Sequence, residues 1–130
     1  KGKKMKKVIV STNAPKAIGP YSAAIETDLF VYTSGQLGLN PETGELVEGG
    51  IEAETHQALK NLKEVLKSAG LELDAVIKTT VFLKNINEFS LMNKVYGDYF
   101  TSEPPARSAF QVAALPKDAS VEIEAVAVKK

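Results

Sequence analysis

Cysteine and tryptophan are absent from this 130-residue chain, and histidine and arginine occur once each. Without thiols there is no disulfide, no cysteine nucleophile and no zinc site built on sulfur, and one histidine cannot furnish a histidine-rich metal cluster. Long apolar runs are absent as well. No stretch approaches the roughly 18 consecutive apolar residues of a membrane helix, and the lysine-rich start leads only into "VIV" instead of a signal-peptide core. No G-x-G-x-x-G or Walker spacing occurs, so no nucleotide cofactor is indicated. What is left, at 44% hydrophobic and 25% charged residues, reads as one soluble domain over residues 1–130, expected in the cytoplasm, with no cofactor, metal or membrane partner.

The formal net charge of zero is unevenly spread: "KGKKMKK" holds five lysines, leaving eleven basic against sixteen acidic residues from Val8 onward. This mildly acidic body has no basic, aromatic-studded platform, so no nucleic-acid partner is expected. Met5 reads as the natural start, the residues before it as an addition, and residues 1–6 as a flexible tail.

Periodicity supplies the elements. Ile51, Thr55, Ala58, Leu59, Leu62, Val65, Leu66 and Ala69 recur at three-to-four-residue spacing and predict a helix over Ile51 to Ala69, stopped by Gly70. A second helix is predicted over about Glu88 to Phe100, capped by Asn87, with a broad apolar face from Phe89 to Phe100. Six strands are predicted: Lys7 to Ser11, Ala23 to Glu26, Phe30 to Gly35, Val76 to Leu83, Ala106 to Val112 and Val121 to Val128. Strands separated by helices must cross over, which gives an α+β fold: a mixed six-stranded sheet with two helices packed on one face. The last strand, "VEIEAVAV", ends apolar on both faces, as does "VIKTTVFL". Two helices cover one face only, so a homo-oligomer whose sheets pack together is expected.

Few residues remain for chemistry. His56 falls beside Lys60, Lys63 and Lys67 on the polar side of the first helix and reads as a solvated surface residue. Gly35 and Gly38 in "SGQLGL" mark either a strand bulge or a close approach of ligand to backbone. Arg107, in "SEPPARSAF", is different: fifteen of the sixteen basic residues are lysine, so the one arginine implies a need for a planar fork of donors. The prolines before it stiffen its approach, and its neighbours are small or apolar. Such a guanidinium needs an anion, either Glu122 or Glu124 of the last strand or the carboxylate of a small ligand. If "AALPKDAS" joins the last two strands as a hairpin, Arg107 and Glu122 lie at opposite ends of it, and a site between subunits reconciles the two.

The segments "AIGPYSAAI", "VYTSGQLGLNPETGEL", "KTTVFLKNINEF" and "PPARSAFQVAALPKDASVEIEAVAV" resemble the RidA/YjgF family of reactive-intermediate deaminases over nearly the whole chain from Val8. The resemblance implies a chorismate-mutase-like homotrimer whose sheets form an inner barrel, with ligand clefts at the subunit interfaces. It implies cofactor-independent hydrolysis of enamines and imines, such as 2-aminoacrylate and 2-aminocrotonate, to 2-keto acids and ammonia. By position it assigns Arg107 to the substrate carboxylate, Glu122, Tyr21 and Ser34 to catalysis, and Gly35, Asn93 and Ala109 to substrate binding. Ala109 stands where many members carry cysteine, so a thiol is not required here, and its backbone N–H can still donate to a carboxylate. Other roles found in such families are non-catalytic binding of small keto acids and an endoribonuclease or translation-inhibitor activity; chorismate mutase activity is poorly matched by one arginine.

Overall fold

The computed structural model describes residues 5–129, in which seven strands and two helices follow in the order β1 (Lys7–Ile9), β2 (Ala24–Glu26), β3 (Phe30–Thr33), β4 (Gln36–Leu37), α1 (Gly50–Ser68), β5 (Val76–Leu83), α2 (Phe89–Tyr99), β6 (Ala106–Gln111) and β7 (Val121–Val128). The expectation for the first four residues of the tail lies outside the described residues. The fold is α+β as predicted, with one strand more than expected: β4 pairs with β7 beside the path β1-β2-β3-β7-β5-β6. Only β5 and β6 run parallel, joined through α2, and the other pairings are antiparallel. A hairpin between β6 and β7 does not form, because β5 lies between them. Among the described residues no helix is long and apolar enough to cross a membrane.

Alternation along β7 orients the sheet. Val121, Ile123, Ala125 and Ala127 are buried under the helices, whereas Glu122, Glu124, Val126 and Val128 point to the opposite face, which no element among the described residues covers. Against the covered face α1 lays Ala58, Leu59, Leu62, Val65 and Leu66, all fully buried, each large side chain contributing about 1.5–3 kcal/mol of transfer free energy. Two polar residues outside the apolar stripe are buried as well. The Glu54 carboxylate accepts the Ser120 N–H at 2.7 Å, and the Asn61 amide donates to the carbonyls of Leu37 (3.1 Å) and Leu39 (2.9 Å). Helix α1 thus holds the segment after β4 as well as the sheet.

The helix ends are set locally. Gly70, at φ 78°, donates to Lys67 while Leu71 donates to Leu66, the paired closure that a left-handed residue permits. Before α2 the cap belongs to Asn85, whose side chain accepts from the Asn87 N–H and starts a single 3-10 turn over Ile86–Glu88; Asn87 is the donor, not the cap expected from sequence. The uncovered face presents Tyr32, Val128 and Phe110 as exposed apolar groups, with Phe110 meeting Phe82 edge to face at 5.6 Å between centroids. An apolar sheet face of this kind fits the expected packing of sheets between subunits.

Candidate functional site

A bulge in the sheet creates the first cluster. β3 and β4 both pair with β7, but three residues, Thr33 to Gly35, stand opposite only two, Glu124 and Ala125, between the pairs Tyr32–Val126 and Gln36–Ile123. The interruption leaves the Ala125 N–H to the Thr33 hydroxyl, which accepts it at 3.0 Å. It also brings Gly35 against Glu122: a Cβ added there would lie 2.7 Å from the Glu122 carboxyl carbon. Gly35 therefore makes room for a carboxylate, while Gly38, where a Cβ would meet the Glu54 backbone at 2.6 Å, makes room for α1.

Around the bulge lies a cavity of about 570 Å³ lined by Tyr21, Ser34, Gly35 and Glu122 together with apolar groups such as Ile18 and Leu39. Tyr21 is half exposed, and the Ser34 hydroxyl donates to the Ser22 carbonyl at 2.6 Å, which leaves its oxygen free to accept. Glu122 is half-buried, and burial, with the like charge of Glu124 adding to it, raises its pKa above the usual 4.5. Lys16 and Lys117 also line this cavity, and Lys117 and Asp118 both take left-handed conformations (φ 57° and 56°). Nothing in the sequence pattern singled out either lysine.

Arg107 belongs to a second cluster, on the other side of the sheet. It stands opposite Thr79 in the β5–β6 ladder, and Thr79 is fully buried beneath α2, so Arg107 projects toward the helix side at the sheet edge. Its guanidinium carbon sits 4.7 Å from the Tyr96 ring centroid and 5.3 Å from that of Phe89, and one Nη donates to the Asn93 Oδ1 at 2.7 Å. Asn93 is thus a partner of the arginine. Among the described residues no carboxylate reaches Arg107. Ala109, two residues on, shares its face. Val112 donates its N–H to Leu83 on β5, so alternation turns the N–H groups of Arg107 and Ala109 to the open edge of β6.

Glu122 shares a row with Phe82, hence with Phe110, on the uncovered face. One chain therefore brings Tyr21, Ser34, Gly35 and Glu122 together, and separately Arg107, Asn93 and Ala109. It does not join the two sets. His56 stays exposed, but its Nδ1 is hydrogen-bonded to the Tyr99 hydroxyl and its ring packs edge to face on Tyr99 at 5.3 Å, so it ties α1 to α2 instead of being merely solvated.

The architecture has close counterparts. A family model described as endoribonuclease L-PSP matches residues 11–129. A mouse protein named 2-iminobutanoate/2-iminopropanoate deaminase is 54% identical, the match covering 96% of this chain and 93% of that protein. The chain belongs to the RidA/YjgF family. The structure of YyfA, a Rid-family protein of Yersinia pestis, superposes with a TM-score of 0.93 at 52% identity, covering 95% of this chain and 99% of that one. TdcF of E. coli, solved with bound serine, gives 0.91 at 40% identity, covering 95% and 99%. Within this Rid architecture the two clusters stand on opposite faces of a single sheet.

Proposed function

We propose that this Rid protein hydrolyses short 2-imino acids and their enamine tautomers, such as those of 2-aminoacrylate and 2-aminocrotonate, to 2-keto acids and ammonia, using sites completed between subunits of a homotrimer. The observation that carries the proposal is the pair of incomplete clusters. A caged guanidinium without a carboxylate partner is a receptor for a carboxylate, and a half-buried carboxylate with a raised pKa is a base held near a cavity. The name of the mouse relative supports the reaction class, and the serine bound to TdcF supports a site for a small amino or imino carboxylate.

In the proposed reaction Arg107 and the Ala109 N–H hold the carboxylate while the enamine tautomerises to the imine. Glu122, with the Tyr21 hydroxyl or the Ser34 oxygen, holds a water and takes its proton as the oxygen attacks the C=N carbon. The π electrons move to nitrogen, giving a carbinolamine. Glu122 returns that proton to nitrogen, then takes the proton of the carbinolamine hydroxyl and delivers it to the same nitrogen as the C=O bond forms, the C–N bond breaks and neutral ammonia leaves. Orientation and general-base catalysis on the order of 10²-fold suffice for a reaction that already runs in water.

The test is ammonia release from 2-iminobutanoate generated in situ, compared with the spontaneous rate. Wild type is expected to exceed it and Arg107→Lys to lose most of the gain, since lysine keeps the charge without the fork. Full activity in Arg107→Lys would sink the clamp. Tight binding of 2-oxobutanoate without any acceleration would make the protein a carboxylate binder and not an enzyme.

A further inference from the structure

Arginine grips an anion best when its fork is already aimed, because a free side chain must surrender its rotamer freedom on binding. On β6 that freedom is removed in advance. Phe89, Asn93 and Tyr96 follow at i, i+4 and i+7 along α2 and so form one stripe, and all three meet the same guanidinium. Tyr96 is itself fixed. Its hydroxyl is hydrogen-bonded to Thr79 Oγ1 at 2.7 Å, directly beside Arg107 in the ladder, and its ring packs against Phe100 at 4.7 Å between centroids. The guanidinium carbon lies over both rings and Asn93 takes one N–H, which leaves further N–H groups of the fork able to donate to a carboxylate.

We infer that Tyr96 and Phe89 are positioning residues: through their stacking on Arg107, with Tyr96 tethered to Thr79, they set the affinity of the site for the carboxylate of its substrate. The inference rests on the carboxylate-clamp reading of Arg107. It adds that the clamp's strength resides in two residues that touch no substrate, and that binding and turnover separate when they are changed. Ordinary core packing predicts otherwise, since loss of a core ring alone lowers stability without distinguishing a charged ligand from an uncharged one.

The experiment compares Tyr96→Leu, Phe89→Leu, Tyr96→Phe and Arg107→Ala by KM and kcat for 2-iminobutanoate and for its methyl ester, alongside Tm and the Kd of 2-oxobutanoate. Each leucine variant is expected to raise KM and Kd about three- to tenfold, the loss of one cation–π contact, with kcat within about twofold. Tyr96→Phe, which keeps the ring and loses the tether, falls between wild type and Tyr96→Leu. The ester, lacking the charge, shows no such difference. If Arg107→Ala raises KM but the folded leucine variants do not, or if acid and ester suffer equally, the cradle is wrong and the clamp stands. If Arg107→Ala leaves KM unchanged, both fall. Should Tyr96→Leu fail to fold, Phe89→Leu carries the same comparison from the margin of the core.

Discussion

Arg107 and Glu122 occupy opposite faces of one sheet: Arg107 is in the Thr79 row under α2, and Glu122 is in the row of Phe82 and Phe110 on the face that no helix covers. A planar sheet cannot be crossed by either side chain, so a site using both takes one from each of two copies. Arg107→Ala and Glu122→Gln are each expected to lose most of the wild-type kcat/KM. Co-refolded in equal amounts, they should recover about a quarter of wild-type activity, the share of cyclic interfaces that pair two intact halves. Recovery of none, in mixtures shown by mass to contain both chains, would place both groups in one subunit's site.

The carboxyl of Glu122 titrates above 4.5 because burial, with a smaller push from Glu124, disfavours its charge. A group whose folded pKa is raised stabilises the fold below its unfolded pKa, and that contribution is lost as pH rises through the folded value. Glu122→Gln should therefore have a higher Tm than wild type at neutral pH, with the difference vanishing below about pH 4. As a base Glu122 must be ionised, so the acid limb of kcat/KM is expected above pH 4.5. An acid limb at or below that of a free glutamate would remove Glu122 from the base role.

Gly35 and Gly38 are three residues apart and should fail differently. In Gly35→Ala the new methyl meets the Glu122 side chain, which can swing aside, so kcat should fall at least tenfold with a small change in Tm. In Gly38→Ala it meets the Glu54 backbone, and α1 has to move, at a cost of about 1–3 kcal/mol seen as a lower Tm. Calorimetry and turnover measured on both variants check the contrast; equal loss of both properties in both variants would contradict it.

His56→Ala removes the bond to Tyr99 and the edge-to-face contact, not a catalytic group. Its expected outcome is unchanged kcat with a stability loss of about 0.5–1.5 kcal/mol in denaturant titration. A collapse of kcat at unchanged stability would instead give His56 a part in catalysis.

Much of this molecule was legible in one dimension. The stripe from Ile51 to Leu66 and the alternation of β7 are properties of spacing and residue type, and they determined α1 and the sheet face buried against it; the solitary arginine marked Arg107 as a residue apart. Spacing could not reveal Glu54 and Asn61, which fall beside the apolar stripe and are buried because Ser120, Leu37 and Leu39 bring them partners from distant segments. Nor could it reveal that β5 enters between β6 and β7, since strand order depends on which edges pair after the helices have crossed. That choice, made only in the tertiary structure, sets Arg107 and Glu122 on opposite faces, and the bulge at Thr33 to Gly35 opens the cavity beside the carboxylate. Local pattern determined the parts; pairing across distant segments decided where their chemistry meets.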